Sequence, residues 1–331
     1  MTTLKDVARE ANVSQMTVSR VINHPEQVTE ELKQLVYDAM KTLNYHPNIA
    51  AKALANNRTQ VIKFVILEEI DTVEPYYMYL LTGIANELEK HQYTLQLITH
   101  RNISLGDCDG YIITGARDKD FEWIDTIKEP VIIFGENRHG YDYIDTDNVG
   151  GIAKATRYAI KQHYANINFI GIDMDEPFEY SREEGYIREL QKEHLVPTIF
   201  RCINRSTAAR ELIEKNWKSF KPNTMFICSS DRIALGVERA VRGQNGKIPQ
   251  DYGIIGHDGA FLDQIAFPKL STIRQNVVFM GEQCAVSILK KIFFHNVSVG
   301  NQHFKSELIL RDTTILLSLN HYVLFLVEFE R

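Results

Sequence analysis

At 331 residues, 44% hydrophobic and 24% charged, the chain is too long for one ordinary core and has the make-up of a soluble globular protein of two or three domains. Four cysteines (Cys108, Cys202, Cys228, Cys284) lie far apart with no CxxC pair. That excludes a disulfide framework or a zinc site and predicts reduced, buried thiols. The formal net charge is −6, yet residues 1–60 carry seven Lys/Arg against six Asp/Glu, so the negative balance lies in the remainder. Nucleic-acid binding by the first segment would therefore rest on placed contacts and dimerisation more than on bulk field.

Residues 3–43 hold three helix starts. Thr3 is placed to cap a helix through Leu4, Val7, Ala8 and Ala11, with Asp6 completing a capping box. Asn12 follows where a sharp turn is needed, and Asn tolerates the left-handed backbone such turns require. Ser14 then caps QMTVSRVIN, whose apolar face is Val18, Val21 and Ile22. The other side presents Gln15 with Ser19 and Met16 with Arg20, each pair four residues apart. Thr29 caps the third helix, with Glu30 and Glu31 in its first turn. Two short helices joined by a tight turn, the second exposing Gln, Ser and Arg, make a helix-turn-helix with a recognition helix. The alternative is a small three-helix packing module with a polar surface.

TLKDVAREANVSQMTVSRVIN, followed by LNYHPNIAAKALAN, resembles the headpiece and hinge of the lactose-repressor/galactose-repressor (LacI/GalR) family, with Asn12 where that family often has Gly. The resemblance implies a transcriptional regulator, a repressor by family habit, that binds a near-palindromic operator as a homodimer. It implies that Gln15, Met16 and Arg20 read bases and that Thr17, Ser19 and Asn23 contact phosphates. Leu4, Ser14, Asn48 and Ala51 join that DNA-facing set. IAAKALAN contains four alanines, but about eight residues are too few to hold a helix alone in water. By resemblance this hinge forms on DNA and Leu54 wedges the central minor-groove step. The plainer alternative is a linker helix in which Leu54 is buried.

Beyond residue 60 the style changes. Strand-like runs at 61–67, 93–99, 109–114, 130–135, 167–172, 224–230 and 252–257 alternate with helical patterns at 76–91, 148–163, 181–194, 206–217 and 230–243. Near-continuous apolar strands between helices predict parallel sheets covered on both faces, and the length predicts two doubly wound lobes. Ligands of such folds sit at the carboxyl ends of strands, here in a cleft between lobes. One connection, 101–108, is too short for a parallel crossover with its own helix. Either it is trimmed to a loop or its two strands are not neighbours.

DTDNVGG, SREEGY, SSDRIALGVERA, YGIIGHDG, LSTIRQ and ELILRDTT resemble, in order, the effector domain of the same family, which is itself similar to periplasmic sugar-binding proteins. The resemblance implies a small-molecule effector, a sugar or sugar derivative, with nucleobases and other metabolites open. Tyr76 and Tyr77 follow the first strand, where aromatic faces can stack on a ring; a core pair is the alternative. Arg182, read at a helix start, is similar to the family's effector clamp, or else pairs with Glu183 or Glu184. Asp258 ends a strand before Gly259, as a hydroxyl acceptor or a turn former. Ser230 and Asp231 open a helix, Ser230 standing where the family has Asn, so that Asp231 could be only a cap. His257 departs from the family's aromatic residue and is either a pH-sensitive contact or structural.

The boundaries read from the sequence are a headpiece at 1–46, a hinge and linker at 47–60, an effector and dimerisation domain at 61–314, and an apolar tail at 315–331. The tail is open between an element of a higher oligomer and an extension without function: 11 of residues 315–329 are apolar or Tyr, too short a run to span a membrane and without heptads. The opening residues contain no apolar secretory core, which predicts a cytoplasmic protein. No P-loop, GxSxG, HExxH or GxGxxG motif is present, so an enzyme is not expected, nor any cofactor or metal. A stand-alone sugar-binding protein, or a regulator answering to a protein corepressor, are the alternatives.

Overall fold

The structure is a computed structural model and describes residues 2–23, 25–45, 58–68, 75–99 and 106–315. It divides into two compact units, Met1–Gln60 and Val61–Arg331. The first contains α1 (Leu4–Glu10), α2 (Gln15–Asn23) and α3 (Glu30–Thr42). Each start is fixed locally. Thr3 and Asp6 form the reciprocal capping box, the Thr17 amide donates to Ser14 Oγ at 3.0 Å, and the Leu32 amide donates to Thr29 Oγ1 at 3.4 Å. Asn12 takes φ +50°, the left-handed turn that Asn permits. Val7, Ala8, Ala11, Val18, Val21, Val36 and Ala39 close a small core between the three helices.

The second unit is two α/β lobes. In chain order it runs β1 (Val61–Ile66), α4 (Tyr76–Lys90), β2 (Thr94–Ile98), β3 (Gly110–Thr114), α5 (Phe121–Ile124), β4 (Val131–Phe134), β5 (Tyr143–Thr146) and α6 (Asn148–Lys161). Next come β6 (Asn166–Ile172), α7 (Pro177–Lys192), β7 (Thr198–Cys202), α8 (Ser206–Lys215), β8 (Thr224–Cys228) and α9 (Asp231–Gly243). β9 (Tyr252–Asp258), α10 (Leu262–Ile265), β10 (Ser271–Arg274), α11 (Val277–Phe293), β11 (Gln302–Phe304) and β12 (Glu307–Ile309) follow. The first sheet has the order β11-β5-β4-β3-β1-β2 and the second β12-β10-β9-β8-β6-β7. Successive residues of a strand point to opposite faces, so each strand feeds two cores. Ile112 packs under α4 and α11 while Ile113 packs on α5; Ile255 packs under α6 and α7 while Ile254 packs under α8 and α9.

β2 and β3 are not neighbours, because each pairs with a different side of β1; whether the 101–108 connection is trimmed to a loop falls on residues 101–105, outside the described ones. The structure corrects two expectations. α7 begins at Pro177, not at residue 181, since Pro at a first helical position is already set for the helix. β12 lies antiparallel to β10, with Glu307 opposite Arg274, where parallel strands alone were expected. The reason is the path of the chain. It crosses between lobes at Asp147, at Gln275–Asn276 and at Lys305–Ser306. On the third crossing it re-enters the second sheet from the cleft end, and so runs against its neighbour.

Candidate functional site

Two surfaces gather the residues singled out by sequence. On the headpiece, Gln15, Met16 and Arg20 are all exposed on α2 and its buried face is Val18 and Val21. Met16 is 71% exposed, an apolar side chain left without a protein partner large enough to cover it. Thr17 and Ser19 are half-buried beside it, and Ser14 and Thr17 share a 2.8 Å hydroxyl contact that anchors the helix start. Leu4 packs partly against the headpiece core. Asn23 closes α2. Asn48, Ala51 and Leu54 lie outside the described residues, as does the tail beyond Ile315.

The second surface is a cavity of about 200 Å³ between the lobes, walled by the residues that follow the strand ends. Tyr76 and Tyr77 open α4 there, edge-on to one another at 5.7 Å. Arg182 enters from the second turn of α7, buried and 4.9 Å over the Phe178 ring. Its Nε donates to Asn148 Oδ1 at 2.8 Å and its Nη1 to the Ser229 carbonyl at 2.7 Å, and the residue lines the cavity. It pairs with neither neighbour on the helix: Glu183 binds Arg201 at 2.6 Å and Glu184 faces Arg188.

Asp258 ends β9 with φ +111°, a conformation that a non-glycine residue adopts only when its surroundings enforce it. The enforcement is visible. The Gln275 amide nitrogen donates to the Asp258 carbonyl at 3.0 Å, and the Gly259 amide donates to Asp231 Oδ2 at 2.9 Å. Asp231 Oδ1 also accepts from Thr272 at 2.7 Å. With both oxygens engaged, Asp231 stands behind the cavity wall as a support for the Asp258 turn. Ser230 lines the wall, caps α9 through the Ile233 amide and donates to Asn204 Oδ1 at 2.6 Å. Burial raises the Asp258 carboxyl to about 6, with Arg182 and Arg232 pulling the other way. His257 is fully buried and outside the wall; burial, then Arg182, hold it well below the ordinary imidazole value and keep it neutral.

The wall holds further residues that the sequence reading missed, among them Glu68, Arg117, Phe134, Asn137, Asp145 and Asn204. Asp145 accepts from the Glu136 amide at 2.9 Å and the Thr146 amide at 2.6 Å; burial still raises its carboxyl. The rule that pointed at strand ends would have found Arg117 and Asn137, two residues or so past strands already recognised. Contacts also run from lobe to lobe around the cavity. Ser181 donates to Glu136 at 3.0 Å, Arg117 meets Glu176 at 3.4 Å, Arg138 lies over Tyr180 at 5.4 Å, and the Tyr76 hydroxyl donates to Gln275 Oε1 at 3.0 Å. Among the described residues no cluster of His, Cys, Asp or Glu is placed to hold a metal ion, and no helix is long and apolar enough to cross a membrane.

Comparison with known proteins bears on both surfaces. Residues 3–48 match the family described as bacterial regulatory proteins, lacI family, and residues 156–314 match the periplasmic binding protein-like domain. The chain is 51% identical over 316 residues to the HTH-type transcriptional regulator YvdE of Bacillus subtilis (strain 168), itself described as uncharacterized, covering 95% of this chain and all of that one. It is 25% identical to the transcriptional repressor CytR of Escherichia coli (strain K12) over 94% of this chain and 96% of that one. Among solved structures, the lac repressor dimer bound to operator and the anti-inducer ONPF aligns with TM-score 0.72 at 20% identity, covering 95% of this chain and 99% of that one. The transcriptional regulator CelR–cellobiose complex aligns with TM-score 0.70 at 24% identity, covering 95% and 100%. At these identities the two structures speak to the fold.

Proposed function

Because the chain belongs to the LacI family of bacterial regulatory proteins, and is thereby a DNA-binding transcriptional regulator and not an enzyme, we propose that it represses transcription as a homodimer under the control of a sugar held in the inter-lobe cavity. The names of its relatives CytR and PurR as repressors support the sign of its action. On the operator side the exposed Gln15, Met16 and Arg20 suit major-groove reading. Arg pairs with guanine O6 and N7, Gln with adenine N6 and N7, and Met packs on a thymine methyl.

The observation that carries the ligand reading is the charge of the wall. Glu68, Glu136, Asp145, Glu176 and Asp258 face three cations, Arg117, Arg182 and Arg232, and Arg117 already meets Glu68 and Glu176. Such a wall repels a phosphate and favours a neutral polyhydroxyl ring, whose hydroxyls donate to Asp258 and Asp145 and accept from Arg182. Tyr76 and Phe178 supply the apolar faces that a pyranose presents to aromatic rings. The cavity is small beside the usual ~300–1,000 Å³ of ligand pockets, which fits lobes closed on one or two sugar units.

The test has two arms. Duplexes selected from a random pool by the purified chain should converge on a near-palindrome, and Arg20→Ala should lose discrimination at one position per half-site by roughly 1–3 kcal/mol; unchanged discrimination would remove α2 as the reader. Thermal unfolding against neutral mono- and disaccharides, their phosphates and nucleobases should give a neutral-sugar hit. A ligand at a hundred times its dissociation constant adds about 2.7 kcal/mol. Arg182→Ala should erase that shift and leave operator binding intact. A response to phosphates alone would overturn the charge argument.

A further inference from the structure

His257 is fully buried, and both of its ring nitrogens face the segments on which the lobes pivot. Nδ1 lies 3.2 Å from Asp258 Oδ1 and 3.2 Å from Gln275 Nε2, and Gln275 belongs to the second crossing. Nε2 has no hydrogen-bond partner. It points toward Gly151 of α6, the helix that follows the first crossing, 3.8 Å from where a Cβ on that glycine would sit. Ser306 Oγ, in the third crossing, lies 2.7 Å from the same point. That hydroxyl is also buried and also without a partner. Two orphaned polar atoms thus flank one point where all three crossings meet, with Ile273 Cγ2 3.0 Å from the same point.

Buried polar groups are nearly always satisfied, so an orphaned pair on a pivot calls for a reason. The Ser306 backbone is tied down: its carbonyl accepts from Lys154 Nζ, and the Asp147 amide donates to the neighbouring Phe304 carbonyl at 2.8 Å. The third crossing is therefore held to α6 and to the first crossing, with the Ser306 hydroxyl left to take a partner. A hydroxyl both donates and accepts, so it matches Nε2 in either neutral tautomer. On the cleft side, Gln275 Nε2 donates to Asp258 Oδ1 at 3.0 Å while Gln275 Oε1 accepts from Tyr76. A ligand that takes hydrogen bonds from Tyr76 or gives them to Asp258 acts on the same amide and imidazole.

We propose that His257 is a positioning residue that couples the cleft carboxylate Asp258 to the hinge: in a second lobe arrangement its Nε2 hydrogen-bonds the Ser306 hydroxyl. The arrangement described above leaves both atoms unpaired, the second pairs them, and occupancy at Asp258 tilts the balance through Nδ1. Its bearing on regulation rests on Asp258 facing the ligand, but the device itself does not.

The test needs neither DNA nor sugar, so its failure is separable from failure of the functional reading. Spin labels on cysteines introduced at the exposed Lys128 and Lys218 report the distance between lobes in the full chain, since the native cysteines are all buried. Diluted with excess unlabelled chain, so that a dimer carries at most one labelled protomer, the parent should show two distances. Ser306→Ala, and His257→Asn (which keeps a polar group near Nδ1), should each deplete the second population at least threefold, and the double variant should go no further. His257→Gln, which places an amide near Nε2, should restore it. Asp258→Asn should change the ratio in the parent and not in the His257→Asn background. A single distance in the parent, populations untouched by Ser306→Ala, or additive effects of the two single changes would each overturn the proposal. Ser306→Ala decides alone if a His257 variant fails to fold.

Discussion

Asp258 is held against its own preferences twice over, in backbone and in charge. Its positive φ is fixed by Gln275 and by the Asp231–Gly259 contact, and burial lifts its carboxyl from 3.8 to about 6. A folded value above the unfolded one means that the folded chain binds more protons between them. The destabilisation from the ionised group is therefore absent below about pH 4 and complete above about pH 6. Asn tolerates positive φ and carries no charge. Asp258→Asn should accordingly stabilise the protein near pH 8 by on the order of 1–2 kcal/mol, a gain that fades toward pH 4, while any sugar-induced stabilisation disappears. Urea midpoints at the two pH values decide it; an equal difference at both would show that charge is not the cause. Strain of this kind sits where sequence alone is least informative, and the site divides along that line. Asp258 and Ser230 were legible as wall residues because each ends or follows a recognisable strand, and Arg182 because SREEGY resembles a family landmark. Asp145 and Asn204 were not, because the strand that contains the one, YIDT, and the strand before the other, TIFRC, are short and not continuously apolar. Asp231 was open between a ligand contact and a helix cap, and its two hydrogen bonds make it a support for the Asp258 turn.

Helix starts were readable for the opposite reason. A cap is a bond between residues three apart, so Thr3 with Asp6, Ser14 with Thr17 and Thr29 with Leu32 carry their whole signal in a few letters. Helix against helix is a long-range matter. α4 and α11 lie about 190 residues apart in the chain yet cross backbone to backbone. A Cβ on Gly83 would stand 1.9 Å from the Val278 carbonyl oxygen, and one on Gly281 would stand 2.4 Å from the Leu80 carbonyl oxygen. Neither obstacle is a flexible side-chain end, so the helices themselves must separate. Gly83→Ala should lose about 1–3 kcal/mol by overpacking, although Ala is the better helix former by nearly 1 kcal/mol. A lowered urea midpoint checks the sign; a raised one would mean that intrinsic propensity outweighs the crossing. The edge strands β11 and β12 escaped the sequence for a related reason. Three residues apiece give no periodicity, and their places depend on a chain that has already crossed between lobes twice.

For the whole molecule, the two surfaces are useful only if a change at one reaches the other, and with a net charge of only +1 over headpiece and hinge together, residues 1–60, the number of copies on the DNA matters most. Linking two binding modules raises affinity by roughly 10²–10⁴ with no new contact, so the proposed dimer interface is where operator affinity is most exposed to change. Among the described residues the second unit carries exposed apolar side chains in one segment around α10: Phe267 is 82% exposed, Ile265 59% and Phe261 37%. Arg242 Nη1 fixes that segment by donating to the Phe267 carbonyl at 2.7 Å, so the ring is displayed from a braced backbone. A large apolar group in that position marks a contact surface. Phe267→Glu should give a folded monomer by sedimentation, with an unaltered thermal midpoint at low protein concentration and operator affinity reduced at least ~10²-fold. Each headpiece of that monomer would still read its half-site, so residual binding should keep its sequence preference. A Phe267→Glu chain that remains dimeric and binds normally would move the dimer interface elsewhere on the lobes. A monomer that still binds the full operator tightly would remove dimerisation from the account of how so weakly charged a headpiece holds DNA.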